Sequence, residues 1–274
     1  MRTAVHAARG PGFTISAVTC HDDHAKWSSP EIRDGYNLVL ARRGRFRRRA
    51  DGICADIDPI LGYIGVPGAE EQFAHPAGGD ACTWIQLEPQ LWATLAGAPA
   101  PPLARSTFYV HPHLELSHRR VLAATRTGDL GYALTEQLLN LFSGVLQQIT
   151  AGPAPTRSGT RHADRTAVTA ARAAIQADHP AAQALMPLAA LLSISPFRLS
   201  RAFSNEMGVS LTRYRNHVRL KRVLDRLEEG EDNLAVLAAD LQFADQAHLC
   251  RTVRQHLGHT PTALRRLLNC SPSD

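Results

Sequence analysis

The sequence predicts an α+β protein of two domains. The first opens as a small β-sandwich or barrel and closes in helix; the second is all-α, with two helix-turn-helix units joined by one long helix. Three observations carry this reading. Short β-prone runs separated by glycines and turn pairs fill Phe13 to Leu87. After Pro112 the apolar residues recur every three or four positions. Beyond residue 161 the chain repeats itself at an offset of 50.

In the first half, Tyr36-Asn-Leu-Val-Leu-Ala and Gly62-Tyr-Ile-Gly-Val are the clearest strand candidates. Gly97-Ala-Pro-Ala-Pro-Pro-Leu reads as a surface connection. Residues 111–150 are predicted helical: Pro112 suits a first turn, Glu115 favours the positive end of the helix dipole, and His111-Pro-His-Leu-Glu-Leu-Ser-His118 opens the segment. Leu130, Leu134, Leu138, Leu141, Val145 and Ile149 then form an apolar stripe that Leu139, Phe142 and Leu146 widen. A helix this apolar needs two neighbours, the barrel and either more of the same core or a second protomer, which makes a homodimer an expectation. Residues 151–161 are rich in Pro, Gly and small polar residues and read as a linker, dividing a domain over 1–150 from one over 162–274.

The repeat matches Leu199 with Leu249, Arg201 with Arg251, Gly208 with Gly258 and Ser210 with Thr260, and Leu188-Ala-Ala with Leu237-Ala-Ala one residue out of step. The one-residue difference falls at a turn. The units span about 185–208 and 234–258. The first has helices over Leu185 to Leu192 and Pro196 to Met207, with Ser195 as N-cap and Pro196 at the first helical position; the second has Leu234 to Leu241 and Asp245 to Leu257. Glycines 208 and 258 suit the residue that ends each second helix. Leu211 to Glu229 lacks Gly and Pro and carries an apolar stripe, so one continuous helix should join the units.

Length and composition bound the remaining possibilities. With 274 residues, 44% hydrophobic and 20% charged, the chain buries ordinary cores and is not disordered or fibrous. No apolar run reaches the roughly 18 residues of a membrane span and no signal-peptide segment opens the chain, so the expectation is a cytoplasmic protein with no membrane partner. Cys20, Cys54, Cys82, Cys250 and Cys270 form no C-x-x-C pair, which argues for reduced thiols. The net charge is +5, and it is uneven: 15 basic against 14 acidic residues in 1–160, and 15 against 11 in 161–274. The second domain is the better candidate for phosphates.

In a helix-turn-helix, the second helix presents polar side chains to a groove while its other face packs on the first helix. Leu199 and Phe203, then Leu249 and Val253, supply the inward faces, with Phe243 sealing the second turn. The outward residues are Phe197, Arg198, Ser200, Arg201 and Asn205, then Gln246, Ala247, His248, Arg251 and Arg254. Arg pairs bidentately with guanine and Gln with adenine, and Ala or Phe can meet a thymine methyl. Two adjacent major-groove boxes on promoter DNA are the expected target.

From Asp164 to Leu268 the chain resembles the AraC/XylS transcriptional regulators. The motifs are Leu188-Ala-Ala, Ser195-Pro-Phe-Arg-Leu-Ser-Arg-Ala-Phe, Gly208, Tyr214, Arg219-Leu, Leu237-Ala, Phe243-Ala-Asp-Gln, Leu249-Cys-Arg and Gly258-His-Thr-Pro with Arg265. The resemblance places base reading at Phe197, Ser200 and Arg201, and at Gln246, Ala247, His248 and Arg251. The chain departs from the family pattern in having Gln242 where a glycine is usual and Leu249 and Val253 where phenylalanines are common. The resemblance also implies a cupin-like sensing and dimerisation barrel over 1–150, whose pocket binds a small organic effector or nothing, and a regulator that activates by touching RNA polymerase or represses by occlusion; residues 1–150 supply no complete metal triad or nucleophile-base pair, so neither enzymatic activity nor a cofactor is expected.

The first half loosely resembles the cupin motifs through His21-Asp-Asp-His24, Glu31, Gly44, Pro67-Gly68 and His75, without the usual H-x-H. Two readings stand side by side: a metal held by His21, His24, Glu31 and His75, with Cys20 as a further ligand, and a metal-free barrel. Cys20, Cys54 and Cys82 could form a thiol sensor if they converge. Six arginines within Arg42 to Arg49 read as a solvated hairpin edge or as an auxiliary phosphate contact. The competing functions are a metal-dependent cupin enzyme tethered to DNA and a nucleoid-type binder of low specificity.

Overall fold

The structure is a computed structural model that describes residues 2–97, 103–127, 129, 131–150 and 162–269. Leu130, Cys270, the 151–161 linker and residues 98–102 of the Pro/Ala-rich connection lie outside these residues. Two compact units result, one from residues 1–154 with 254–274 and one from 155–253. The second division falls after Val253, inside a helix, rather than at the predicted linker.

In the first unit ten strands form two antiparallel sheets. Six of them, β1 (Arg2–Gly10), β2 (Phe13–Cys20), β4 (Tyr36–Arg43), β7 (Leu61–Gly65), β9 (Asp80–Leu87) and β10 (Thr107–Tyr109), pair in the order β1-β2-β9-β4-β7-β10. The second sheet runs β3 (Glu31–Ile32), β8 (Glu70–Ala74), β5 (Phe46–Ala50), β6 (Ile53–Ile57). Both faces of the larger sheet are covered. Ile15, Leu38, Leu40, Ile64, Ile85 and Leu87 face one core that also contains Trp92, Leu114, Val121 and the apolar stripe. Val39, Ala41, Tyr63 and Cys82 face the other with Phe46 and Ile57 of the smaller sheet. That second core is the barrel interior.

Three helices cover the first core: α1 (Pro89–Ala96), α2 (Pro112–Thr127) and α3 (Ala133–Thr150). The predicted helical segment is therefore two helices packed on each other. Leu134, Leu138, Leu141, Phe142, Val145 and Ile149 are all buried in this core, so the stripe is occupied within the protomer, and only Leu139 is half exposed.

The arginine hairpin differs from expectation. β5 is an inner strand, paired with β6 on one side and β8 on the other, so it is no edge. Alternation along Phe46 to Ala50 sends Phe46, Arg48 and Ala50 inward. Arg48 and Glu71 are each 4% exposed at the side chain and pair with each other. Arg48 Nε donates to Glu71 Oε1 at 2.6 Å, Nη1 donates to Ser106 Oγ, and the guanidinium lies 4.4 Å from the Tyr63 ring centre. Burial pushes the Tyr63 phenol well above its ordinary value; the nearby Glu71 charge adds to this and Arg48 opposes it. Arg47 and Arg49 both lie over Trp27. Of the six arginines, Arg48 is thereby buried and withdrawn from any phosphate contact.

The second unit begins with α4 (His162–Gln176) and a single 3-10 turn (Pro180–Gln183). There follow α5 (Leu185–Leu191), α6 (Pro196–Met207), α7 (Leu211–Glu228), α8 (Leu234–Asp240) and α9 (Gln246–Leu257), whose last turn crosses the division between units; α10 (Pro261–Leu268) belongs to the first group. Leu188, Leu199, Phe203, Tyr214, Leu224, Leu237, Leu249 and Val253 are fully buried, and Phe203 meets Tyr214 edge-to-face at 5.2 Å. Among the described residues no helix is long and apolar enough to cross a membrane.

Candidate nucleic-acid interface

Each unit of the repeat builds its turn in the same way. α5 ends at a residue in the left-handed region, Ser193 (φ 52°), and α8 at its counterpart Gln242 (φ 59°). The next amide reaches back five residues, Ile194 to the Ala189 carbonyl at 3.0 Å and Phe243 to Ala238 at 2.8 Å. These are Schellman closures made without glycine. A left-handed non-glycine residue costs roughly 1–2 kcal/mol, which glycine avoids at an entropic cost of about 0.5–1 kcal/mol. Gln242→Gly should therefore raise the unfolding free energy of the second unit by up to about 1 kcal/mol in urea titration followed by far-ultraviolet circular dichroism.

The second turn has an external clamp. Arg219 of α7 donates from Nε to the Leu241 carbonyl at 2.9 Å and from Nη2 to the Gln242 carbonyl, and its guanidinium sits 4.2 Å from the centre of the Phe243 ring. The orphan carbonyls at the end of α8 thus receive a cation, and the side chain that seals the turn is held from above. Arg219→Ala is expected to destabilise the second unit by about 2 kcal/mol. An unchanged urea transition would show that the guanidinium holds nothing.

Capping then sets the start of each exposed helix. Ser195 Oγ accepts from the Arg198 amide, and Pro196 occupies the first helical position of α6. For α9, Asp245 Oδ1 accepts from the His248 amide at 2.6 Å while His248 Nδ1 accepts from the Ala244 amide at 3.2 Å. This is a reciprocal arrangement close to a capping box, with histidine in the usual glutamate role. α6 ends at Gly208 in the left-handed conformation (φ 68°).

The predicted residues divide by what else they touch. Phe197 is 70% exposed with the Arg201 guanidinium 5.5 Å from its ring centre, and Asn205 is exposed on the same helix. Gln246, Ala247, Arg251 and Arg254 are exposed on α9. Among the described residues Arg201, Arg251 and Arg254 enter no ion pair. Arg198 is already engaged: its Nε donates to Asp164 of α4 at 2.7 Å. Ser200 and His248 are half-buried, and His248 is also edge-on to Phe243. The free chemistry is therefore concentrated in the equivalent pair Arg201 and Arg251 and their flanking Phe197, Gln246 and Ala247. Sequence reading did not assign Arg219, whose partners lie about one helix-turn-helix away.

In the first unit, the four ligand candidates do not gather as one set, although the His24 ring stands edge-on to that of His75 with centres 6.1 Å apart. Glu31 pairs with Arg2 and Arg33, His21 is exposed, and His24 Nδ1 bonds the Lys26 carbonyl. His75 instead joins Cys20 and Asp80, whose ligand atoms all lie within 4.8 Å of one another. Cys54 is exposed and apart from this group. The signal that could have found the trio is His75-Pro-Ala-Gly-Gly-Asp80-Ala-Cys82, a histidine returned by a glycine pair onto an alternating strand. Burial pushes the Cys20 thiol up and the Cys82 thiol well up.

Residues 188–267 match a family model described as a helix-turn-helix domain. ToxT from Vibrio cholerae strain SCE256, in a structure with bound unsaturated fatty acid, is 10% identical and covers 97% of this chain and 99% of its own, with a TM-score of 0.38. A cupin superfamily protein from Desulfitobacterium hafniense is 19% identical over 32% of this chain and 78% of its own (TM-score 0.29). The Schizosaccharomyces pombe Cnp3 cupin domain is 8% identical over 35% and 71% (TM-score 0.30). No curated protein matches.

Proposed function

We propose that this chain, whose residues 188–267 match a helix-turn-helix domain model, is a DNA-binding transcription regulator of the AraC/XylS type in which α6 and α9 each enter a major groove and read two boxes about one helical turn apart. The observation that carries this is the doubled arrangement itself. Two helices begin at matching caps, follow matching left-handed turns, and expose matching arginines, Arg201 and Arg251. They are joined by α7, whose 18 residues span about 27 Å at ~1.5 Å each. One turn of DNA is about 34 Å, so two recognition helices held at the ends of such a rod can address successive grooves on one face.

Within this reading, Arg201, Arg251, Gln246, Ala247 and Phe197 read bases, and Arg254 and Asn205 meet the backbone. Arg198 and His248 position rather than read, because Asp164 and the cap of α9 already hold them. The helical domain extends over 162–274 and the barrel domain over 1–150. The chain acts as a regulator and not as an enzyme, in the cytoplasm, with promoter DNA, RNA polymerase and a second copy of itself as partners. Leu139, half exposed on α3 beside a groove lined by Leu95, Ala96, Phe142 and Leu146, supports the second copy. A small molecule binding the first unit sets dimer geometry and thereby engagement of the boxes.

Enrichment and sequencing of fragmented genomic DNA on the purified full-length protein tests the reading. Sharp peaks sharing two short boxes about one turn apart support it, whereas uniform enrichment over all fragments favours a nucleoid-type binder.

A further inference from the structure

The barrel contains a second cluster of chemistry that DNA reading does not use. Cys20 ends β2 and lies directly opposite Asp80, the first residue of β9; Cys82 lies opposite Val18, two positions along. Directly opposed residues and those two apart project to one face, so Cys20, Asp80 and Cys82 share the face that carries Cys82 into the barrel core. His75 is brought over this face by the loop between β8 and β9. The loop depends on close backbone approach: a Cβ on Gly79 would lie 2.2 Å from the Cys20 carbonyl oxygen, and one on Gly44 would lie 2.3 Å from the Gly79 carbonyl oxygen. Glycine at both positions is what lets the strand end, the loop and the hairpin meet.

The polar atoms gathered there are incompletely satisfied. Asp80 is 5% exposed at the side chain, its Oδ1 stands 3.1 Å from His75 Nε2, yet Oδ1 makes no hydrogen bond and neither does the buried His75 Nδ1. Asp80 Oδ2, by contrast, accepts from the Cys82 thiol at 3.0 Å, which fixes the carboxylate plane and turns Oδ1 toward the histidine. A buried carboxylate oxygen that faces a cationic or polar neighbour without a well-formed hydrogen bond keeps part of a desolvation cost on the order of 1–3 kcal/mol, so Asp80 Oδ1, close to His75 Nε2 but not hydrogen-bonded to it, is poised to gain from a cation. Sulfur, nitrogen and oxygen donors all within 4.8 Å are close to the roughly 3.5 Å separations of ligands around a tetrahedral zinc, reachable by small side-chain rotations. A mixed S/N/O set suits a divalent transition metal of the zinc class and not the all-oxygen preference of Mg²⁺ or Ca²⁺.

We infer that Cys20, His75 and Asp80 form a three-ligand site for a divalent transition metal ion at the end of the barrel interior, with Cys82 as the outer residue that orients Asp80. Binding releases the Cys20 thiol proton to water and leaves the metal a fourth position for a water molecule or a small ligand. The outer hydrogen bond from Cys82 is the kind that changes affinity without supplying a ligand.

Co²⁺ titration of the full-length protein, stripped of metal with a chelator, is the direct test. One Co²⁺ per chain and a sulfur-to-cobalt charge-transfer band are expected, with the band removed by one equivalent of Zn²⁺. Cys20→Ser should abolish the band, and His75→Ala and Asp80→Asn should each weaken Co²⁺ binding at least tenfold. Cys82→Ala, which removes the hydrogen bond to Asp80, should keep the band with affinity reduced about 10–100-fold, and Cys82→Ser, whose hydroxyl can still donate, should restore most of it, while Cys54→Ser and Cys250→Ser should leave both unchanged. Cys20→Ser preserves side-chain shape and His75 lies nearer the surface, so either variant decides the matter if the other fails to fold. Absence of stoichiometric Co²⁺ binding, or a band that survives in Cys20→Ser, overturns the site. None of these readouts depends on DNA.

Discussion

Replacing Arg201 and Arg251 together by alanine is expected to weaken binding to the cognate two-box site by about 2–6 kcal/mol, on the order of 30-fold to 10⁴-fold. Each arginine is exposed, enters no ion pair among the described residues, and occupies the same place in its own helix, α6 or α9. Each bidentate contact to guanine discriminates by about 1–3 kcal/mol, and sites on separate helices without shared partners should add. The single variants should therefore lose affinity for one box each, Arg201→Ala for the box under α6 and Arg251→Ala for the box under α9. Titration of wild-type and variant proteins against the cognate site and a scrambled site of equal length measures this at fixed salt. Equal losses on both DNAs would make the arginines phosphate contacts, with a fall of about two in the slope of log affinity against log salt concentration.

The largest effect on stability belongs to the barrel. Glu71→Ala leaves the Arg48 guanidinium 4% exposed with Ser106 and the Tyr63 ring but no counter-charge. Removing one partner of a buried pair costs about 3–5 kcal/mol, because the remaining charge stays desolvated. The joint replacement Arg48→Met with Glu71→Leu should cost much less, since the barrel interior then closes with apolar groups of similar size. All three tryptophans, Trp27, Trp84 and Trp92, lie in the first unit, so their fluorescence follows barrel unfolding alone. A loss under about 1 kcal/mol for Glu71→Ala would mean that water reaches the pair.

What could be read from the sequence was local. α6 runs from Pro196 to Met207 as expected, since Ser195, Pro196 and Gly208 mark its ends within the segment itself. The joining helix and both helices of the second unit end within a residue of their predicted limits for the same reason. The barrel was legible only as a class. β2 pairs with β9 some 60 residues away, and the larger sheet is buried on both faces, so a strand such as Leu38-Val-Leu-Ala41 shows a continuous apolar run in place of alternation. Arg48 was read as solvated because three adjacent arginines conceal a two-residue period, and only the pairing of β5 with β8 reveals which one turns inward. Glu31 was grouped with the histidines through a loose resemblance to cupin motif spacing, whereas the cross-strand register brings Cys20 to Asp80. The contacts that hold Arg198 and His248 are likewise not encoded by spacing alone.

The rigid joining of two readers is the central claim, and altering the distance between the two boxes tests it most directly. Inserting about five base pairs between them turns the second box to the opposite face of the duplex, about half a helical turn away. With α7 as a continuous 18-residue helix, the protein can then engage only one box at a time. The predicted result is a loss of at least 100-fold in affinity, with protection confined to a single box and the remaining affinity insensitive to Arg201→Ala or to Arg251→Ala, whichever reader is displaced. Undiminished affinity with both boxes still protected would contradict the account, because it would require the two units to move independently.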